Sequence, residues 1–329
     1  MKHLLIGAAT ALLLASPALA EFPEKDINGI IQWGAGGSTD LVARSVTPHA
    51  AKDLGGNIVL QNMTGGVGVI ALKYVLQQPA DGYTLLIGAE NPQLYKVLGL
   101  GTEDYGDYIP INVLARGVPI IVVKPDAPYN TFDELVEYAQ AHPGELRVGS
   151  TGPGGLPSVV TTMLASEVEL PLTAVPYDGD GPALTALMSG AIDVMPAVLG
   201  AALPNIEAGR MKPIALIDTQ PNALLPGVAP ITEAHPAYEK YLPWGPFFGV
   251  FVKGGTPDDV VARLTEAYGK GADDPQFTSI LDNLGYVKLD LSGDEAREFL
   301  DAWQSVTSWL VYDGGMAKKS PEEFGIPRP

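Results

Sequence analysis

The chain has 329 residues, enough for two domains of ordinary size, and carries 38 Asp and Glu against 20 Lys and Arg for a net charge of −18. That balance excludes nucleic acid as a partner, because phosphate backbones are held by clustered Lys and Arg. The absence of cysteine excludes disulfides, thiolate nucleophiles and Cys-based metal sites, while 46% hydrophobic residues suit a packed core. Two readings of the acidity are open: a surface solvated in a salty or periplasmic milieu, or an attractor for cationic ligands. The first is preferred, since surface charge usually serves solubility.

Residues 1–20 read as a signal peptide. Lys2 gives a short basic start, Leu4 to Leu14 is apolar, and Ala18-Leu19-Ala20 supplies small residues for cleavage after Ala20. The apolar run is ~11 residues, short of the ~20 that cross a bilayer. Export to the periplasm follows as an expectation.

Ile27 to Trp33 then reads as a strand that ends at Gly34-Ala35-Gly36-Gly37, with Ser38 or Thr39 expected to cap the next helix. Pro48 should kink or end that helix, because it removes an NH and crowds the previous turn. Ile58 to Asn62 is a second strand, and Gly65-Gly66-Val67-Gly68 leads into a helix over Val69 to Gln77. After the turn Pro79-Ala80-Asp81-Gly82 comes a strand from Tyr83 to Ile87, and Ile120 to Val123 is an apolar run of buried-strand type.

The pattern restarts after Pro125. Thr131 with Glu134 forms a capping box opening a helix over Phe132 to Ala141. A short strand, Arg147 to Ser150, runs into Thr151-Gly152-Pro153-Gly154-Gly155 and a helix through Val159, Met163 and Leu164. Thr173 to Pro176, Ala183 to Ser189, Ala191 to Val194 and Pro213 to Ile217 continue the alternation, and a helix over Trp303 to Tyr312 closes the chain. Alternating strands and helices with glycine-rich junctions define an α/β fold of mostly parallel sheets flanked by helices. The crossings between halves fall near Lys124-Pro125 and between Pro236 and Pro243.

Catalytic chemistry is poorly supplied. His3 lies in the signal segment, and His49, His142 and His235 are far apart, form no H-x-x-x-H pair and read as surface residues. Neither a G-x-S-x-G elbow nor a phosphate-binding P-loop occurs, and Gly66-Val67-Gly68 and Gly152-Pro153-Gly154 lack the third glycine of a dinucleotide loop. The glycine junctions offer anion binding instead. Free NH groups and partial positive charge at a helix N-terminus suit a carboxylate, and glycine lets the backbone approach it. Gly36-Gly37-Ser38-Thr39 and Ser150-Thr151-Gly152, one junction per half, would face each other across a cleft; ordinary tight turns are the equal alternative.

Trp33 to Arg44, Asn62 to Gly68, Pro79 to Gly88, Val175 to Ala183 and Ser189 to Asp193 together resemble the ordered motifs of the substrate-binding proteins of tripartite tricarboxylate transporters, the Bug family. The resemblance spans residues 22 to 315. It implies a type II periplasmic-binding-protein fold with a ligand cleft between two lobes, residues 21–125 plus 238–329 forming lobe 1 and 126–237 forming lobe 2. It implies a monomer that passes a small organic carboxylate to integral membrane permease subunits, with no catalytic activity, metal or cofactor. A ligand-sensing adaptor and a periplasmic hydrolase are the rival readings.

Carried over by position, the ligand loops are Trp33 to Asp40 and Ser150 to Gly155. Trp33, Ala35, Gly36, Gly37, Ser38, Asp40, Glu90, Asn91, Ser150, Thr151, Gly152, Gly154, Tyr177 and Asp193 are the expected ligand-binding residues. The chain departs from the family pattern at three places. Ser158 stands where relatives often carry His, Ala89-Glu90-Asn91 replaces small hydroxyl residues, and Asp178 replaces an often basic residue. Glu90 either turns to solvent, the preferred reading, or pairs with an amino or hydroxyl group of the ligand.

Overall fold

A computed structural model describes residues 22–329. The signal segment and its cleavage after Ala20 lie outside the described residues. Among the described residues, eleven strands and eleven α-helices follow one another in largely alternating order. The strands are β1 (Ile27–Ile31), β2 (Ile58–Asn62), β3 (Thr84–Ala89), β4 (Tyr108–Arg116), β5 (Pro119–Val123), β6 (Arg147–Ser150), β7 (Thr173–Pro176), β8 (Val194–Val198), β9 (Lys212–Leu216), β10 (Phe247–Lys253) and β11 (Val287–Leu291). The helices are α1 (Ser38–Leu54), α2 (Val69–Leu76), α3 (Tyr95–Leu98), α4 (Phe132–Ala141), α5 (Leu156–Ala165), α6 (Asp180–Met188), α7 (Leu199–Glu207), α8 (Ile231–Ala234), α9 (Asp258–Ala272), α10 (Pro275–Leu284) and α11 (Gly293–Asp313).

They build two sheets, one ordered β11-β4-β10-β3-β1-β2 and the other β7-β6-β8-β5-β9. The expected α/β class holds, but the pairing is mixed. β10 runs antiparallel between β3 and β4, and β5 runs antiparallel between β8 and β9. These are the strands by which the chain arrives from the opposite sheet. A strand that enters without a covering crossover helix is free to run against its neighbours. The first crossing falls in the short link between β4 and β5, one strand ahead of Lys124-Pro125, so Pro119–Val123 belongs to the second sheet.

Side-chain pattern explains most of the elements. Three inner strands of the first sheet, β10, β3 and β1, are apolar on both faces: Ile30, Ile31, Leu85, Leu86, Val250 and Phe251 are fully buried between helices. Each such large side chain contributes roughly 1.5–3 kcal/mol on leaving water. Thr131 Oγ1 accepts from Glu134 N at 3.2 Å and opens α4 at the expected residue, but Glu134 Oε2 reaches back to Asn130 N, not to Thr131. Pro48 does not end α1. Pro48 and Arg44, whose carbonyl loses its donor, both face solvent, so water can serve that carbonyl while Val42, Val46 and Ala50 stay buried. Gly271 lets α9 approach α1 closely, since a Cβ there would stand 3.2 Å from Ala50 N.

β8 begins at Val194, where the sequence suggested an element ending. Pro196 argues against a central strand, because it offers no ladder NH. The ladder between β6 and β8 is confined to Val148 opposite Val194, which leaves Pro196 paired across β5 alone.

Candidate functional site

The strand ends bring the site together. β1, β3, β6 and β8 deliver their carboxyl ends, and the start of β10 lies beside the end of β3, with Phe248 opposite Ala89. Crevices outside carboxyl strand ends are the usual ligand sites of open α/β sheets. Here a cavity of about 30 Å³ is lined by Trp33, Gly37, Ser38, Thr39, Ala89 and Glu90 from the first lobe and by Thr151, Leu156, Asp180 and Val198 from the second, with Pro246 and Phe248 at the return crossing.

Three helix N-termini converge on it. The expected hydroxyl cap of α1 does not form: Gly37 is the N-cap, no side chain caps it, and Ser38 is the first helical residue. The amides of Ser38 and Thr39 therefore have no intrahelical acceptor, and both residues line the cavity. α5 begins after Gly155 and α6 after Gly179, again without side-chain caps. This leaves the amides of Leu156, Asp180 and Gly181 free, while Pro157 and Pro182 have none to satisfy. The loops are thus built to offer donors and partial positive charge to an anion.

The lobes touch across the cavity. Gly34 N donates to Asp178 O at 3.1 Å, Asn91 Nδ2 to Gly154 O at 2.9 Å, and Ser38 Oγ to Asp180 Oδ2 at 3.4 Å. Gly179 makes the approach possible: its φ of +127° suits glycine, and a Cβ there would stand 3.1 Å from Gly34 N. Gly152 meets Val67 in the same way, with a Cβ placed 2.7 Å from its methyl.

Five of the residues expected to bind ligand line the cavity: Trp33, Gly37, Ser38, Glu90 and Thr151. Asn91 stands behind them, its Oδ1 accepting from Gln32 Nε2 and from the Trp33 indole, both at 3.1 Å, which fixes the ring. Asp40 is turned back on its own loop and accepts from Gly36 N, Arg44 and Asn62. Ser150 Oγ accepts from Gly152 N and meets Ser158 Oγ, which donates to Gly152 O at 2.6 Å. Ser158, at the position of the family's histidine, thus holds the loop in shape. Ala35 and Gly36 are exposed, Gly154 packs on Leu94 and Leu98, and Tyr177 lies against the second core cluster.

Asp193 stands at the far end of β6 from the cavity. Arg147 Nε and Lys124 Nζ each approach it at 2.9 Å, and Arg147 N donates to it. Burial works against its charge, but these partners hold the carboxyl down at about 2. Nor do the histidines reach the cavity: His49 pairs with Asp274, His235 with Asp133, and His142 stacks on Tyr138.

Glu90 corrects the sequence reading most sharply. It does not turn to solvent; it is 3% exposed, lines the cavity, and its Oε2 has no hydrogen-bond partner. Burial, with Asp180 adding repulsion, pushes its carboxyl up to about 8. Asp180 is pushed up to about 6 by burial, against which the Ser38 hydroxyl works. Sequence reasoning singled out Asp178 in the same motif, yet Asp178 is exposed and contributes only its carbonyl. The signal that picks Asp180 is its place as the first residue of a helix opened by Gly179. Leu156, Val198 and Phe248 were also missed as wall residues because apolar side chains read as core.

Two α/β lobes with a cavity at the facing strand ends have the architecture of the type II periplasmic binding proteins. Residues 42–304 match the tripartite tricarboxylate transporter family receptor domain, and the chain belongs to that family. It is 30% identical to the "UPF0065 protein in gbd 5'region" of Cupriavidus necator, over 95% of this chain and 96% of that one. The structure of the periplasmic binding protein BugD superposes with a TM-score of 0.85 at 26% identity, covering 91% of this chain and all of that one. MatC from Rhodopseudomonas palustris with bound malate gives a TM-score of 0.78 at 26% identity, covering 87% and 100%. The family consists of solute receptors, and the protein is a receptor, not an enzyme.

Proposed function

We propose that this receptor captures a small organic carboxylate in the interlobe cavity and delivers it, as a monomer in the periplasm, to the membrane subunits of a tripartite transporter. The observation that carries the reading is the convergence of the uncapped N-termini of α1, α5 and α6 on one interlobe cavity. Its relative MatC, which holds malate, supports the ligand class. Trp33, Gly37, Ser38, Thr39, Thr151, Leu156 and Asp180 are the residues assigned to the ligand, with Asn91 and Ser158 holding the loops around them. Export rests on the sequence of residues 1–20, and among the described residues no helix is long and apolar enough to cross a membrane.

The test is thermal unfolding of the processed chain, freed of retained ligand by unfolding and refolding, against a panel of organic acids. A ligand at a hundred times its dissociation constant adds ~2.7 kcal/mol to stability. At least one carboxylate is expected to raise the melting temperature. If every acid leaves it unchanged, the reading fails.

A further inference from the structure

The cavity has two chemical poles. One is the ring of amides at the starts of α1, α5 and α6, which accounts for one carboxylate of a ligand. The other consists of carboxyl groups. Glu90 is buried on the floor, and Asp180 enters from the second lobe. No Lys, Arg or His occurs among the described residues that line the space.

The protein supplies Glu90 with almost nothing. Its Oε1 receives one long contact from Asn91 Nδ2 at 3.4 Å, and its Oε2 receives none. Three side-chain donors around it are engaged elsewhere, while the Tyr286 hydroxyl beside Ser38 and Asp180 makes no hydrogen bond. Tyr95 Oη donates to Val67 O at 2.7 Å, Tyr105 Oη to Ala89 O at 2.6 Å, and Gln32 Nε2 to Asn91 Oδ1 at 3.1 Å. From the second lobe Asp180 faces the same space, its carboxyl touched only by the Ser38 hydroxyl. A buried carboxyl oxygen without a donor is uncommon, because desolvation without a replacement hydrogen bond is costly. The second carboxylate of a dicarboxylate would add negative charge beside Asp180 and oppose ionisation of Glu90.

We propose that the ligand is an amino-carboxylate without net negative charge, its ammonium group seated between Glu90 and Asp180 and its carboxylate on the amides of α1 and α5. An ammonium brings three donors and no acceptor, which suits Glu90 Oε2 and the Asp180 carboxyl together. This inference rests on the carboxylate reading above and narrows it. It also gives the preference a sign in pH. The groups facing Glu90 are Asp180 and the hydroxyls of Tyr95 and Tyr105, of which only Asp180 titrates near neutrality. Burial holds Glu90 protonated at neutral pH without ligand, so pairing with ammonium releases its proton and binding tightens as pH rises. A plain carboxylate needs both carboxyls protonated, and its binding weakens as pH rises.

The experiment is calorimetric titration of the refolded, processed chain with matched pairs that differ by an amino group: propionate and β-alanine, butyrate and 4-aminobutyrate, valerate and 5-aminovalerate. In at least one pair the amino member is expected to bind tenfold or more tightly at pH 7, and more tightly again at pH 8 than at pH 6. Glu90→Gln is expected to weaken that amino ligand at least tenfold and to tighten its amine-free partner, which then meets one ionisable carboxyl fewer. Asp180→Asn, at a half-buried position, gives the same test should Glu90→Gln fold poorly. If the amine-free acids bind as well as their partners and the variants affect both alike, the inference is overturned while the carboxylate reading stands. If no member of any pair binds, the inference is overturned, and the wider panel of organic acids decides the carboxylate reading.

Discussion

Gly181 is the point at which closure of the lobes is most easily blocked. It is the second residue of α6, and a Cβ built on it would stand 2.5 Å from Ala35 O and 3.2 Å from Gly37 N, all backbone of the opposite lobe. Ordinary contact begins near 3.4 Å, so Gly181→Ala forces α6 and the first loop apart by ~0.5–0.9 Å. That separation breaks or stretches the bonds of Gly34 N to Asp178 O and of Ser38 to Asp180, and pulls the α6 amides off a bound anion. At ~1 kcal/mol for each net hydrogen bond, the loss is ~2–3 kcal/mol, or roughly 30- to 150-fold in Kd. The lobes themselves should not suffer, because alanine is the better helix former and the clash lies wholly between them. Calorimetry should show the weakened binding, unfolding a melting temperature equal to or above wild type, and small-angle scattering a liganded molecule wider than wild type. Gly181→Ala binding as tightly as wild type, with the same scattering radius, would refute the closed-cleft geometry.

Other expectations are spread over both lobes. The ligand-free protein should be most stable in mild acid: Glu90, raised to about 8, contributes stability that is full below its ordinary value near 4.5 and is lost as pH rises through about 8. Chemical denaturation at pH 5 and pH 8 should show that fall in wild type and a flatter profile in Glu90→Gln; parallel profiles would mean that Glu90 ionises freely. Asp193 has the opposite sign, its contribution present above pH 4 and lost as pH falls through about 2. Asp193→Asn should cost ~1–2 kcal/mol of stability, allowing for solvent around Arg147 and Lys124, and leave ligand affinity unchanged. A loss of affinity there would place Asp193 in the site after all. Asn91→Ala removes the acceptor of Gln32 and of the Trp33 indole and should destabilise the protein by ~2–4 kcal/mol in urea unfolding, with weaker binding. An unchanged midpoint would show that water replaces the amide.

Local signals carried far along this chain. The glycine junctions, the Thr131 cap and the apolar strands near β1, β2, β3 and β6 were legible because each depends on residues within a few positions of one another. The antiparallel insertions of β5 and β10 were not, because strand direction is decided by which sheet the chain enters, and no local pattern records that. Of the fourteen residues named from the ordered motifs, five line the cavity and nine do not. Asp40 and Ser150 spend their hydrogen bonds on neighbouring amides within their own loops. Glu90 was misplaced for a different reason: an unpaired carboxylate is normally sent to water, and only the enclosing second lobe shows that this one is kept from it. The overall negative charge says little about the ligand, since exposed charge is screened over ~8 Å at physiological salt. The two carboxyls inside the cleft are another matter.

Hydrogen exchange read by mass spectrometry, with and without the acid that most raises the melting temperature, tests the central assignment most directly. Ligand should slow exchange in peptides covering residues 34–41, 150–158 and 178–183, where α1, α5 and α6 begin, and leave the peptide around Asp193 unchanged. Binding without added protection at those three helix starts would contradict the account.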